Sequence, residues 1–239
     1  MMKKYNYDEF SSNTYNLDNF YGPEVAKKAQ NFSLTNLNNE KVNLLDFTGE
    51  FLVLELGSIT CPLFQGRREG MEALVKEFPN VSFSVLYVRE AHPGSNFPSH
   101  NSIDEKINCA KELKYTDREI RNIVIDDVSG SAHSSYGGYP NAVFIINKNG
   151  CVVFRSDWNS VSATSAALKL LLSGKPASTK SYFFPVKPTI AINILRRSGK
   201  GAVKDFFMGL PVLIWKNVIK RNVLVFLNAE KSISPNTVC

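Results

Sequence analysis

Residues 51–78 pass from a continuous apolar run to a helical stripe. Phe51 to Leu56 holds one polar residue, Glu55, among five apolar ones, the pattern of a central strand buried on both faces. Met71, Leu74, Val75 and Phe78 then recur three and four apart, which predicts a helix from Phe64 to Phe78 with one face in the core. Val81 to Val88 reads as a second strand, parallel to the first because a helix crosses between them. Upstream, Phe32 to Leu45 alternates on either side of Asn38-Asn39, which predicts a hairpin. Downstream, Ser102 with Glu105 three residues on forms a capping box for a helix reaching Leu113. Asn122 to Asp126 is a third short strand. Ala142 to Ile146 and Cys151 to Phe154 pair through an Asn149-Gly150 turn, and Ser162 to Leu172 is a last helix. Residues 1–22 show no periodicity and are predicted to be a flexible, loosely held arm, ahead of one domain over 23–174 and an extension over 175–239.

Charge separates that extension from the rest. It holds eleven Lys/Arg against Asp205 and Glu230, a balance of +9, whereas the first 174 residues hold seventeen basic and twenty acidic groups, −3. Between residues 190 and 227, large apolar side chains interleave with Lys204, Lys216, Lys220 and Arg221, with Pro211 expected to break any single long helix. That mixture suits an interfacial helix on an anionic membrane, and equally a tail that packs back on the domain or a homodimer surface. No nucleic-acid-binding module accompanies the charge, so nucleic acid is not expected as a partner. Cys61, Cys109, Cys151 and Cys239 make neither a C-x-x-C nor a zinc-ligand spacing, which points to free thiols in a reducing compartment. With no signal-peptide core and no uncharged apolar run of spanning length, the expected location is cytoplasmic, with peripheral membrane association through the tail.

The candidate chemistry begins at Cys61, where the strand gives way to the helix. A thiol there faces free backbone N–H groups and the positive end of the helix dipole, which favour thiolate, and Pro62 suits the first helical position. Arg67 and Arg68 either lower the thiol further or lie on a solvated face. Glu90 and His92 leave the C-terminal end of the neighbouring strand, the edge where ligands gather in α/β sheets. A histidine there can carry a proton and a glutamate can fix its tautomer. His133, in a small-residue loop, is expected at the surface.

Gly57-Ser-Ile-Thr-Cys61-Pro-Leu-Phe64, Glu90-Ala-His-Pro93, Pro98-Ser-His100 and Ser134-Ser-Tyr-Gly-Gly-Tyr-Pro140 resemble, in order and spacing, the iodothyronine deiodinase family over about residues 24–173. The resemblance implies an α/β thioredoxin-like fold, a mixed central sheet flanked by helices, to which the sequence adds an N-terminal hairpin and, beyond the end of the resemblance, the basic C-terminal extension. It implies that Cys61 is the nucleophile, standing where the family carries selenocysteine. Ser58 and Thr60 would hydrogen-bond near the sulfur, and Glu90 and His92 would be active-site partners. His100 would meet the phenolic end of the substrate, and a cis Pro140 would face the cysteine. The chain departs from the family pattern at Ile59, Leu63 and Asn141-Ala142, where the family has cysteine, proline and Glu-Arg.

The implied chemistry is thiol-dependent reductive dehalogenation of an iodinated aromatic without bound cofactor or metal. Position 64 is Phe, so a sulfenyl intermediate would be resolved by Cys109, by Cys151, or by a thiol co-substrate such as glutathione or thioredoxin. Cys109 is the better internal candidate. A peroxiredoxin-like peroxidase is the rival, since Ser58-Ile-Thr-Cys61 fits that pattern, although Leu54 stands where its proline belongs. A third reading is a non-catalytic interaction protein on a redox fold.

Overall fold

The computed structural model describes residues 5–239, so residues 1–4 of the predicted arm lie outside the described residues. β1 (Ser33–Thr35) and β2 (Lys41–Asn43) form the expected hairpin, with Asn39 at φ 64° in its turn, a conformation that asparagine tolerates. β3 (Phe51–Gly57) is buried along its whole length and leads through Cys61 into α1 (Pro62–Glu77) and the parallel strand β4 (Ser82–Tyr87). α2 (Ile103–Lys111) starts on the predicted capping box. The Ser102 hydroxyl accepts from the Glu105 N–H, while the Glu105 carboxylate accepts from the Asn101 N–H at 2.7 Å. A π-helical turn, Glu112–Thr116, precedes β5 (Asn122–Ile125), and a short α3 (Ser131–Ser135) precedes β6 (Val143–Asn147). β7 (Val152–Ser156) and α4 (Val161–Leu172) complete the domain.

The sheet runs β2-β1-β5-β4-β3-β6-β7, with β3 parallel to β4 and antiparallel to β6. A parallel βαβ unit joined to an antiparallel hairpin through a shared central strand is the thioredoxin-like α/β fold. α1 and α4 cover one sheet face through Met71, Leu74, Leu168 and Leu171. The opposite face buries Leu52, Leu54, Leu56 and Phe144 beneath Tyr136, Trp158 and side chains from the N-terminal arm.

That arm departs from the sequence expectation of a loose segment. Phe10 and Tyr15 are buried, and the Tyr7 hydroxyl donates to the Ala91 carbonyl at 2.8 Å. Asn6 Nδ2 donates to the carbonyls of His100 and Val128, both at 2.9 Å. The Arg89 guanidinium lies 4.8 Å from the ring centres of Tyr5 and Tyr7 and 5.2 Å from that of Tyr15. Single aromatic anchors in irregular backbone leave no periodic trace in sequence, which is why the packing was not visible there.

The extension folds back on the domain. β8 (Ala177–Ser178) is followed by α5 (Pro188–Ser198), which packs on α1. Gly66 permits the close approach there, since a Cβ on it would stand 2.6 Å from Val186 Cγ1. α6 (Ala202–Leu213) contains Pro211 without breaking. The helix relaxes into a π-helical stretch, Ile214–Lys220, and continues as α7 (Arg221–Leu227) before β9 (Ser232–Ile233) pairs with β8. No helix among the described residues is long and apolar enough to cross a membrane. Cys151 is bonded to Cys239 across 88 residues of sequence, which overturns the expectation of four free thiols. Pairing at that separation leaves no spacing signature. It also removes Cys151 as a resolving residue.

Candidate functional site around Cys61

Cys61 is the N-cap of α1. Its backbone is extended, and its Sγ accepts from the Phe64 N–H at 3.5 Å. Pro62 takes the first helical position as expected. The sulfur faces a cavity of about 120 Å³ whose walls include His92, Pro140, Trp158, Phe206 and Leu213. Only 2% of the residue is exposed. Burial dominates its ionisation and pushes the thiol up to about 12, against the lowering effect of the Phe64 and Leu63 N–H groups and the Arg67 guanidinium. The helix terminus is present, but it does not deliver the low-pKa thiolate that sequence position suggested. Desolvation of a charged sulfur outweighs partial charges of the order of half a unit.

His92 shares the cavity. Its ring centre is 4.3 Å from that of Phe10 and 5.5 Å from that of Phe206, and its Nδ1 is buried without a hydrogen-bond partner. Burial pulls it down to about 3, so the imidazole is neutral at physiological pH. A neutral ring with a vacant nitrogen in the same cavity as a protonated thiol can accept a hydrogen bond from it and hand the proton on in one step, but as so weak a base it cannot store the proton.

Glu90 does not join them at the cavity wall. It accepts from the Thr60 hydroxyl at 2.6 Å, the Thr60 N–H at 3.2 Å and the Tyr87 hydroxyl at 2.6 Å, and its Oε1 lies 3.2 Å from His100 Nε2. The His100 approach lies off the line of a well-formed hydrogen bond, and both His100 ring nitrogens are otherwise unpartnered. Burial raises the Glu90 carboxyl, but the His100 ring and the Thr60 and Tyr87 hydroxyls outweigh it and hold the carboxyl below its usual value. Thr60 and Ser58 act here rather than on the sulfur, contrary to expectation. Thr60 Oγ1 also accepts from the His92 N–H at 3.2 Å, and Ser58 Oγ accepts from the Ala91 N–H at 3.2 Å. The two side chains stitch the Glu90–His92 loop to the turn that carries Cys61.

Three further expectations change. Pro140 lines the cavity, yet there is no cis peptide bond among the described residues. His133 is fully buried rather than at the surface, with Nδ1 2.8 Å from the Tyr5 hydroxyl and Nε2 3.1 Å from the Tyr139 carbonyl. Arg68 is neither solvated nor near the thiol, since it pairs with Glu119 at 3.1 Å. Cys109 is half-buried behind Glu90, and both burial and that carboxylate raise its thiol. Glu90, His100 and Cys109 place a carboxylate oxygen, a ring nitrogen and a sulfur within 4.8 Å of one another, a mixed donor set of the kind zinc accepts. The Glu90 oxygens of that set already accept from Thr60 and Tyr87.

Sequence reasoning missed a charged network beneath the cysteine. Glu55, at the centre of β3, accepts from Asn141 Nδ2 at 2.7 Å, from Asn159 Nδ2 at 2.6 Å and from Arg121 Nη1. Asn141 Oδ1 in turn accepts from Arg67, which is buried and drawn down to about 10, chiefly by desolvation. The signal was in the pattern, because a glutamate inside a strand buried on both faces must find partners. Asn141, one of the departures from the family sequence, is the residue that joins Glu55 to Arg67.

A sequence pattern described as iodothyronine deiodinase matches residues 3–169, more than half of the chain, and begins inside the arm rather than at residue 24. The thyroxine 5-deiodinase of Sus scrofa is 29% identical over 114 residues, which cover 44% of this chain and 37% of that protein. The thyroxine 5-deiodinase of Gallus gallus is 24% identical over 145 residues, covering 55% of this chain and 56% of that protein. The matched stretch thus spans less than two thirds of either relative. Among solved structures, an uncharacterized conserved protein from Geobacillus kaustophilus superposes with a TM-score of 0.54 at 18% identity, covering 64% of this chain and 85% of that one, which bears on the fold alone. With the match running from the arm through the Cys61 junction to the last helix of the domain, the chain belongs to the iodothyronine deiodinase family.

Proposed function

We propose that this protein is a thiol-dependent reductase that removes iodine from an iodinated aromatic through Cys61. The observation that carries the reading is one apolar cavity shared by the Cys61 sulfur and a His92 ring whose Nδ1 has no partner. The Cys61 sulfur forms an S–I bond as the carbon–iodine bond breaks, and the ring carbon takes the proton that left the thiol, relayed by His92. A thiol co-substrate such as glutathione or thioredoxin then attacks Cys61, expels iodide and leaves a mixed disulfide, which a second thiol returns to Cys61-SH. Cys109 does not line the cavity, so both thiols come from the co-substrate. Glu90, held by Thr60, Tyr87 and His100, fixes the backbone that presents His92. His100, behind Glu90 in this closed form, meets the phenolic end of the substrate only when the cavity opens.

One feature favours a second substrate class. A cavity of about 120 Å³ admits a peroxide as it stands, whereas a two-ring aryl iodide needs the several hundred Å³ typical of small-molecule sites. With peroxide, Cys61 takes one oxygen, becomes a sulfenic acid and releases water, and the same thiols reduce it. The test is to supply dithiothreitol with either an iodothyronine or hydrogen peroxide and to follow iodide release and peroxide loss. Iodide release is the expected result. Peroxide loss without iodide release would move the protein to the peroxidase class, and neither reaction would leave an interaction protein on a redox fold.

A further inference from the structure

We infer that the 202–227 helical segment is a lid which docks on an anionic lipid surface and, by docking, uncovers the Cys61 cavity. The second half of this inference rests on the proposed role of Cys61; the first half does not.

The segment has two apolar faces. Phe206, Leu210, Leu213 and Val218 point inward and roof the cavity. Met208, Val212, Trp215, Ile219, Val223 and Phe226 recur three to four residues apart on the outside, a continuous stripe over about five turns. Met208 and Phe226 are each 71% exposed and Trp215 is 56% exposed. A helix whose outer stripe is this apolar is unsatisfied in water and matches the half-buried state of an interfacial helix.

Charge selects the occupant. The extension carries eleven cations against two acids, and Lys204 heads the stripe. At the other end, Leu224 and Val225 form one wall of a groove of about 580 Å³ that also presents Arg155, Lys180, Arg221 and Lys231, against Glu24 and Asp157. A second copy of the chain would set this positive surface against itself, and a neutral bilayer would offer nothing to Lys180 and Lys231, the groove cations left over once Arg221 pairs with Asp157 and Arg155 with the Gly22 and Pro23 carbonyls. Anionic headgroups satisfy the groove while acyl chains take the stripe.

The lid is held by contacts that lipid can replace. Lys216 and Lys220 both reach Asp18 of the arm, at 2.6 Å and 2.5 Å, in exposed pairs for which a lipid phosphate competes directly. On the inner side, Asn217 Oδ1 accepts from Trp158 Nε1 at 3.0 Å, a latch in the π-helical stretch. Gly209 lets α6 lie against the arm, since a Cβ there would meet Phe10 Cε1 at 3.0 Å. Arm, lid and cavity roof are therefore one assembly, and loosening the Asp18 pairs loosens all three.

The test uses the full chain with vesicles of phosphatidylcholine alone or mixed with phosphatidylserine, read by co-sedimentation and by mass-mapped alkylation of Cys61. Binding should be at least about tenfold tighter to the mixed vesicles, weaken with salt, and vanish in the Trp215→Glu, Phe226→Glu double variant, whose changes lie on exposed side chains. Cys61 alkylation should quicken about tenfold or more on the mixed vesicles and not on the neutral ones. Equal binding to both vesicles, unchanged binding by the double variant, or a dimer that the double variant dissolves would each overturn the docking surface. Tight binding with unchanged alkylation would overturn the lid. Vesicle binding by Cys61→Ser should equal that of wild type, so a failure of the dehalogenase reading leaves the docking result standing.

Discussion

Cys61→Ser should abolish thiol-driven turnover of aryl iodide or peroxide, by a factor on the order of 10³ or more, while the protein stays folded. Serine fits the N-cap: its hydroxyl can accept from the Phe64 N–H as the sulfur does, so α1 keeps its start. What is lost is a soft, polarisable nucleophile able to hold an iodine or oxygen atom and then surrender it to a second thiol. Cys109 cannot substitute, because it lies behind Glu90, away from the cavity. Steady-state rates for the two proteins, with circular dichroism to establish the fold, check this. Residual turnover within tenfold of wild type would place the chemistry at another sulfur.

Arg121→Met should destabilise the fold by about 3–5 kcal/mol, the cost of leaving buried carboxylates without their cation. Arg121 is 2% exposed and pairs with Glu55 and, through Nε and Nη2, with Glu119 at 2.8 Å each. Methionine fills most of the volume, so the loss is electrostatic rather than a cavity. Glu55 retains Asn141 and Asn159, and Glu119 retains Arg68, which blunts the penalty without cancelling it. Adding Glu55→Gln and Glu119→Gln should recover much of the loss, because neutral amides carry a far smaller desolvation cost. Denaturant unfolding measures both variants, and a single-variant change under about 0.5 kcal/mol would show the network to be ornamental to stability.

The elements legible in the sequence were those with local signatures. β3 running into Cys61 and α1, the Ser102 capping box, the hairpin at Asn38-Asn39 and the β6–β7 turn at Gly150 depend on residues within a few positions of one another. The site was legible as a list and not as an arrangement. Cys61, His92 and Pro140 do line one cavity, but Ser58, Thr60, Glu90 and His100 form the layer behind it, because the side chain of Thr60 turns to Glu90 rather than to the sulfur. The ionisation of Cys61 could not be read from its neighbours in sequence. The groups that desolvate it come from Phe10 in the arm, Trp158 after β7 and Leu213 in the lid. The same holds for His133, buried by Tyr5, and for Cys151, whose partner is the last residue of the chain.

The central claim is that Cys61 rests as a neutral thiol under an apolar lid, poised by its helix terminus but desolvated. The most direct measurement is the rate of iodoacetamide alkylation of Cys61 against pH in the full chain without lipid, with the fold followed alongside. A thiol at about 12 leaves on the order of one molecule in 10⁵ ionised at pH 7, so the rate should be very low there and keep climbing through pH 10 with no plateau. A plateau with its midpoint below 9 would mean an open, ionised cysteine and contradict the account.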